Sequence, residues 1–197
     1  PIRQLTLKKI GDRYFNNAVF NQWGASGLAA VWAEENTRNS IFEAFRRKET
    51  YATSGTRIKL RFFAGYDLET SLLDSDDVIK QAYEKGVPMG QDLEASDGLK
   101  PSFLIWALRD KNSAPLQRVQ IIKGWVERIS GKPHEEVIDV MCSDGLMPDP
   151  ETNRCPDNGA LVDITDCSIS SDVGANELKT VWTDKSFDPS VKAFYYV

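Results

Sequence analysis

Two adjacent carboxylates and an arginine, Glu34, Glu35 and Arg38, follow directly on a short apolar run at residues 28–33. A short continuous apolar run is typical of a strand that is buried on both faces. In an α/β barrel the end of such a strand opens onto the active-site face. Carboxylates there would orient water or metal ligands, and a guanidinium would contact an anionic oxygen of a substrate.

The two carboxylates are expected to have different roles, because neighbouring side chains of a strand point to opposite faces. Glu35 lies closer to Thr37, whose residue type is a good helix cap. We therefore predict that Glu34 faces the site and that Glu35 lies at the helix N-terminus, where an acid interacts favourably with the dipole. The alternative is that both acids serve only the start of the helix.

Three cysteines, Cys142, Cys155 and Cys167, lie within 26 residues of a turn-rich segment, in a spacing that matches no C-x-x-C motif. Such clustering favours a disulfide and an oxidising compartment. Cys142 ends a predicted strand and Cys155 lies 13 residues further on, so the chain can double back to join them. This pairing leaves Cys167 without an internal partner. The alternative is three reduced cysteines in a cytosolic protein.

Hard oxygen ligands are concentrated in the acidic loop at residues 144–159. Secreted modules bind calcium with such loops, but the spacing of an EF-hand is absent. The alternative is a solvated loop that a disulfide holds in place. The single histidine, His134, lies in a predicted turn and is expected to be a surface residue. One histidine and three scattered cysteines lead us to expect no transition-metal site built by this chain alone.

The composition is that of a globular chain of 197 residues with a formal net charge of −5, which argues against a general nucleic-acid binder. The charge is unevenly distributed. Residues 1–65 contain 11 Lys/Arg and 5 Asp/Glu, whereas residues 66–197 contain 13 and 24. This shift predicts two structural regions that meet near Gly65.

The longest uncharged stretch, residues 14–33, is too polar to span a membrane.

The first region, residues 1–65, is predicted to contain a strand, a helix and further strands in that order. Thr37 or Asn36 can cap a helix that runs to about Lys48, with Ile41, Phe42, Ala44 and Phe45 on its apolar face. We expect this face to pack on strands at residues 28–33 and 58–62. A further β-rich segment follows at residues 50–54, and the alternation at residues 57–63 predicts a half-exposed strand.

The second region reads as mainly β. A short helix is predicted to start at Ser75 and to stop at Gly86. Strand-length apolar runs separated by turn residues predict an antiparallel sandwich. The predicted strands are residues 103–108, 116–125, 136–142, 160–164, 178–182 and 193–197.

Long stretches of the sequence resemble one bacterial family, catalogued only as domain of unknown function 3604. They are SGLAAVWAEENTRNSIFEAFRRKETYATSGTRIKLRFFAGYD, GVPMGQDL, PSFLIWALRD, LQRVQIIKGWVE and VWTDKSFDPSVKAFYYV. The resemblance implies a relationship to the polymerase-and-histidinol-phosphatase (PHP) group of metal-dependent phosphoesterases. It also implies that the metal-binding motifs lie upstream of this chain, and that one subgroup carries another cysteine after AFYYV. Many members are exported or lipid-anchored.

The resemblance thus implies an α+β fold in which residues 1–65 are the last strand–helix–strand elements of a PHP-like barrel. Residues 66–197 would be a β-rich, sandwich-like accessory domain that is truncated at its last strand. We expect a C-terminal fragment that holds no cofactor itself. Zinc, manganese or iron would bind in the full-length protein, whose upstream barrel is the partner and whose substrate is a small phosphate ester. The protein would be periplasmic, secreted or lipid-anchored. The alternative is a non-catalytic β-sandwich module that binds a protein, a glycan or calcium.

Overall fold

The computed structural model describes residues 7–16, 27–96 and 98–197, with side chains left out of the description for residues 7–8 and 13–16. Most of the regular structure is antiparallel sheet. In chain order the elements are β1 (Leu7–Ile10), β2 (Arg13–Asn16), β3 (Gly27–Val31), helix α1 (Arg38–Arg46), β4 (Thr50–Ser54), β5 (Lys59–Gly65), a 3₁₀ helix (Thr70–Asp74), helix α2 (Val78–Lys85), β6 (Gly86–Pro88), β7 (Ser102–Leu108), β8 (Arg118–Val126), β9 (Pro133–Cys142), β10 (Glu177–Thr183) and β11 (Ala193–Tyr196).

Strand β3, helix α1 and strand β4 form one unit, which we call the hairpin–helix unit (residues 27–54). The strands pair antiparallel, from Gly27 opposite Ser54 to Val31 opposite Thr50. The predicted cap is confirmed, because the Thr37 side chain accepts a hydrogen bond from the backbone N–H of Ser40. The order is therefore strand, helix, strand as predicted, but the two strands are antiparallel neighbours, and the described residues form no closed barrel.

The expected burial of this unit is wrong for the described residues. The predicted apolar face of α1 leaves Phe42 58% and Phe45 49% exposed, and Leu28 of β3 is 46% exposed. Only Ala44 of the helix is buried. The physical reason is that β3 and β4 form a small two-stranded sheet by themselves, and no further described layer covers these side chains.

The four-stranded sheet, in the order β10-β7-β5-β6, has helices on one face. The side chains of that face pack against the 3₁₀ helix, α2 and the residues around them. This core contains Phe63, Leu104, Trp106 and Val181 from the sheet, and Leu68, Leu72, Leu73, Val78, Ile79 and Ala82 from the helical layer. Helix α2 stops at Gly86, as the sequence predicts.

The other face of this sheet packs on the three-stranded sheet β11-β8-β9, and together they form an antiparallel β-sandwich. The shared core draws Leu60, Phe62, Phe103, Ile105 and Leu178 from the first sheet and Val119, Ile121, Val140, Met141 and Tyr195 from the second. The predicted sandwich is therefore present, and β5 is one of its central strands.

One predicted strand is absent from the described structure. Residues 160–164 form only an isolated bridge, between Val162 and Ile169. Leu161 and Ile164 are 74% and 91% exposed, so the apolar residues of this segment pack on no sheet. None of the helices in the described part of the chain is long and apolar enough to cross a membrane.

Candidate functional site

The residues singled out from the sequence lie in the connection between β3 and α1. Glu34, Glu35 and Arg38 are all exposed to solvent. The backbone N–H of Glu35 donates to Ser40 Oγ at 3.1 Å, which places this residue at the helix N-terminus. Their carboxylates and guanidinium therefore face solvent just beyond the end of β3.

A buried carboxylate, Glu49, lies where the hairpin–helix unit meets the sandwich. It is 4% exposed. Its Oε1 lies 3.3 Å from Arg61 Nη1, its Oε2 lies 3.6 Å from Arg47 Nη2, and the Tyr83 hydroxyl donates to Oε1. Burial raises the pKa of Tyr83, and the hydrogen bond to Glu49 raises it further.

Trp32 adds to the same junction. Its indole N–H donates to the carbonyl of Leu60 in β5 at 2.7 Å, and the Arg61 guanidinium lies 3.4 Å from its ring centroid. A Cβ at Gly90, where φ is +82°, would lie 2.0 Å from the carbonyl oxygen of Lys48. The unit is thus held to the sandwich by polar and stacking contacts and by one close backbone approach.

A second polar cluster lies at one end of the sandwich. Asp184, 1% exposed, accepts hydrogen bonds on both carboxylate oxygens. Lys123 Nζ lies 2.6 Å and the Tyr195 hydroxyl 2.7 Å from Oδ2, while the Ser186 N–H and hydroxyl donate to Oδ1 at 2.9 and 2.8 Å. We call this set, Asp184, Lys123, Tyr195 and Ser186, the Lys123–Asp184 cluster.

The hydrogen bonds of the cluster favour the ionised form of Asp184 and the neutral form of Tyr195. Burial alone would raise the pKa of Asp184, but the hydrogen bonds from Lys123, Tyr195 and Ser186 together lower it below its ordinary value. Burial, followed by the hydrogen bond to Asp184, raises the pKa of Tyr195 well above its ordinary value. At neutral pH Asp184 is therefore ionised, and it pairs with Lys123 inside the protein.

A pocket of about 260 Å³ lies against this cluster. Its walls come from β8, β9, β11 and the segment that follows β10. They consist of Lys123, Trp125, Glu136, Ser186, Phe187, Asp188, Val191 and Ala193. The pocket therefore combines an apolar, partly aromatic surface with two carboxylates, Glu136 and Asp188, that are not members of the Lys123–Asp184 cluster.

This pocket was not predicted from the sequence. One signal was present, because Val119, Ile121 and Lys123 alternate along β8 and share its inward face. A lysine in register with two core residues must either reach solvent or pair with a buried acid. That acid, Asp184, lies 61 positions further along the chain, where no local pattern connects it with Lys123.

His134 lies at the rim of the same end of the sheet. Its ring stacks on Trp125 with centroids 5.1 Å apart, and its Nε2 lies 2.7 Å from Glu127 Oε1. The pKa of Glu127 is lowered, first by the hydrogen bond from the Ser130 hydroxyl and then by His134. The His134 ring thus covers one face of the Trp125 indole and limits its movement.

The predicted disulfide between Cys142 and Cys155 is confirmed, and Cys167 is a free, exposed thiol. Beside the disulfide lies Asp139, 2% exposed. This carboxylate accepts from the N–H of Cys155 at 2.7 Å and from the Gln120 side chain at 2.7 Å. Two arginines also contact it, Arg118 and Arg154, each at 3.3 Å.

The acidic loop uses its carboxylates mainly in turns. Asp149 accepts from the backbone N–H groups of Glu151 and Thr152, and Asp144 accepts from that of Gly174. In the described ranges, no three side chains of His, Cys, Asp or Glu converge as a metal site would require. The loop's carboxylates therefore support backbone geometry around the disulfide.

Asp139 makes stability depend on pH. Burial alone would raise its pKa, but the hydrogen bonds from Cys155, Gln120, Arg118 and Arg154 lower it overall. Its contribution is therefore complete above the unfolded-state pKa, near pH 4, and is lost as pH falls through the lower folded-state value.

We expect Asp139→Asn to lower the free energy of unfolding by about 2–3 kcal/mol at pH 7, because hydrogen bonds to a charged group are lost. Urea unfolding between pH 3 and pH 7, a range set by the ordinary pKa of Asp, measures this. The variant should also lose less stability than the wild type below about pH 4. Asp157→Asn, a change in the exposed loop, is the control. Equal pH profiles for wild type and Asp139→Asn would contradict the assignment.

The geometry defines an antiparallel β-sandwich protein with a helical layer and an attached hairpin–helix unit. Within this class, the chain belongs to the family described as "Protein of unknown function (DUF3604)", whose model matches residues 3–197. The resemblance noted in the sequence is thereby confirmed at the level of the family. Comparison with curated proteins and with solved structures gave no match.

Proposed function

We propose that this chain is the C-terminal part of a longer, PHP-related metal-dependent hydrolase that acts on phosphate-type esters. Residues 1–65 were predicted to be the last elements of its barrel. Because β5 lies in the sandwich, we now limit these elements to residues 27–54, and the sandwich would be an accessory domain. Membership of the family supports this proposal, together with the relationship to the PHP group that the sequence resemblance implies. The observation that carries it is the exposed apolar surface of the hairpin–helix unit.

That surface comprises Leu28 on β3 and Phe42 and Phe45 on α1, which are between 46% and 58% exposed. Fully burying a side chain of this size stabilises a protein by about 1.5–3 kcal/mol relative to leaving it exposed. Strand β3 also has an edge that no described strand pairs with. An upstream barrel would supply both a strand for this edge and a surface for the apolar side chains.

The residues of this chain are better suited to line the wall of such a site than to bind its metal ions. Glu34 and Glu35 offer two neighbouring carboxylates, and no larger group of ligating side chains converges in the described segments. Zinc, manganese or iron bound by upstream residues would supply a nucleophilic water and neutralise charge on the ester. In this chain Glu34 would orient water, and Arg38 would hold an anionic oxygen of the substrate.

Glu34→Gln tests this role in the full-length protein. We expect it to lower turnover at least about tenfold, equivalent to roughly 1.4 kcal/mol of barrier, and to leave the fold intact. Glu35→Gln is the matched control, because this residue lies at the helix N-terminus and should cost only about 0.3–1 kcal/mol of stability.

Activity is measured on a phosphate ester that the wild-type protein hydrolyses, with circular dichroism to verify folding. Full activity in both variants would show that the connection between β3 and α1 has no role in catalysis. A complete gene without upstream Asp-x-His or His-x-His pairs would overturn the hydrolase proposal as a whole.

The disulfide supports export of the protein to an oxidising compartment. The family resemblance also implies that many relatives are exported. We propose that the protein is periplasmic, secreted or lipid-anchored. Fractionation of cells that express the complete gene tests this, and a protein found only in the cytosol with Cys142 and Cys155 reduced would contradict it.

A non-catalytic binding module is the second candidate, and the pocket beside Lys123 favours it. This function does not exclude the first, because an accessory sandwich can hold a ligand while the barrel carries the chemistry.

A further inference from the structure

We propose that the pocket at Trp125 binds one ring of a neutral saccharide. The proposal is independent of the hydrolase activity, because it concerns the sandwich and none of the residues placed near the barrel. Four side chains carry it: Trp125 as the apolar wall, Glu136 and Asp188 as acceptors, and Lys123 as a donor.

The charge of the pocket excludes anionic ligands. The Lys123 ammonium is already neutralised by Asp184 at 2.6 Å. The lining itself, with Lys123, Glu136 and Asp188, has a formal charge of −1, and Asp184 beside it brings the total to −2. A phosphate ester would be repelled, so this pocket is separate from the proposed hydrolytic site.

A cationic ligand is the competing class, because Glu136 and Asp188 would attract it. The Lys123 Nζ lies 5.3 Å from the centroid of the Trp125 ring, so this ring is already next to a cationic side chain of the protein itself. The ammonium has three N–H donors, and its recorded hydrogen-bond partners are Asp184 and Ser186. One donor thus remains for a neutral ligand, next to the carboxylate acceptors.

The apolar part of the lining matches a sugar ring, which has C–H groups on its faces and hydroxyls around its edge. Trp125, Phe187, Val191 and Ala193 form this part. His134 stacks on Trp125 at 5.1 Å and holds the indole in position. The volume of about 260 Å³ lies below the usual range for drug-sized ligands, which suits a single ring.

Neighbouring residues supply matched controls. Glu136 lies opposite Lys123 on the inward face of β9, whereas Glu135 lies opposite Gly124 on the outward face. Phe194 is an exposed aromatic on the outward face and packs on Gly124, so it parallels Trp125 without lining the pocket.

The experiment is a ligand-observed NMR titration of the full-length protein. The probes are methyl glycosides of glucose, galactose and mannose, together with N-acetylglucosamine. Tetramethylammonium and inorganic phosphate are the ionic comparisons. We expect at least one sugar to bind, and Trp125→Ala and Glu136→Gln each to weaken its binding by at least about tenfold. Phe194→Ala and Glu135→Gln should bind like the wild type.

Three results would overturn the proposal: no binding of any sugar, binding that is unchanged by Glu136→Gln, or preferential binding of tetramethylammonium or phosphate. Thermal unfolding of each variant shows whether it is folded. If Trp125→Ala does not fold, the comparison of sugar binding by Glu136→Gln and Glu135→Gln tests the proposal. Both residues are at least partly exposed, so we expect these two variants to fold.

Discussion

Replacing Lys123 by Met is expected to lower the free energy of unfolding by about 3–5 kcal/mol, because it leaves the Asp184 carboxylate buried without its cation. The Lys123 and Asp184 side chains are 7% and 1% exposed, so solvent screens the pair little. Urea unfolding at pH 7 measures the loss. Lys132→Met, at an exposed position, should change stability by less than about 0.5 kcal/mol.

The double variant Lys123→Met/Asp184→Asn separates the two possible causes of this loss. If the cost arises from the unpaired charge, removing that charge as well should restore at least about 1–2 kcal/mol. A loss below about 1 kcal/mol in Lys123→Met would show instead that Asp184 is neutral or reached by water.

Replacing Phe103 by Ala is expected to cost about 3–5 kcal/mol, the range for removing a buried aromatic side chain. Phe103 is 2% exposed and lies between the two sheets. Its ring centroid is 4.4 Å from that of Tyr195 in the opposite sheet, and 5.6 Å and 5.8 Å from those of Phe62 and Trp182.

Two phenylalanines outside the core serve as controls. Phe45 and Phe194 are 49% and 60% exposed, and each change to Ala should cost about 1 kcal/mol or less in this chain. The comparison is made by urea unfolding with one probe for all variants. Equal losses at Phe103 and Phe45 would contradict the assignment of the core to the interior of the sandwich.

The sandwich was predictable because its strands carry their own signals. Residues 103–108 and 178–182 are apolar runs bounded by turn residues, and they form β7 and β10 as paired strands. The disulfide was predictable for a similar reason. Cys142 ends β9, and a spacing of 13 residues gives the chain room to return.

Burial of the hairpin–helix unit was harder to predict. An apolar run such as residues 28–33 shows that a strand needs covering, but it carries no information on what covers it. The structure places this strand in a two-stranded sheet with Leu28 exposed. The strand predicted at residues 160–164 is wrong, because a short apolar run alone does not supply a neighbouring strand.

The candidate pocket depends on contacts between distant parts of the chain. Lys123, Glu136 and Asp188 come from two strands and from the segment after a third. Each is an ordinary charged residue in its local sequence. Glu49 is similar, since its burial follows from Arg61 and Tyr83 in other elements. Only the tertiary structure brings such groups together.

The central claim is that an upstream barrel covers the hairpin–helix unit, and hydrogen–deuterium exchange tests it most directly. The experiment compares the full-length protein with the 197-residue chain. We expect the amides of β3 to exchange at least about tenfold more slowly in the full-length protein. The exchange rates of the β7 amides should be the same in both proteins. Equal exchange of β3 in both proteins would contradict it.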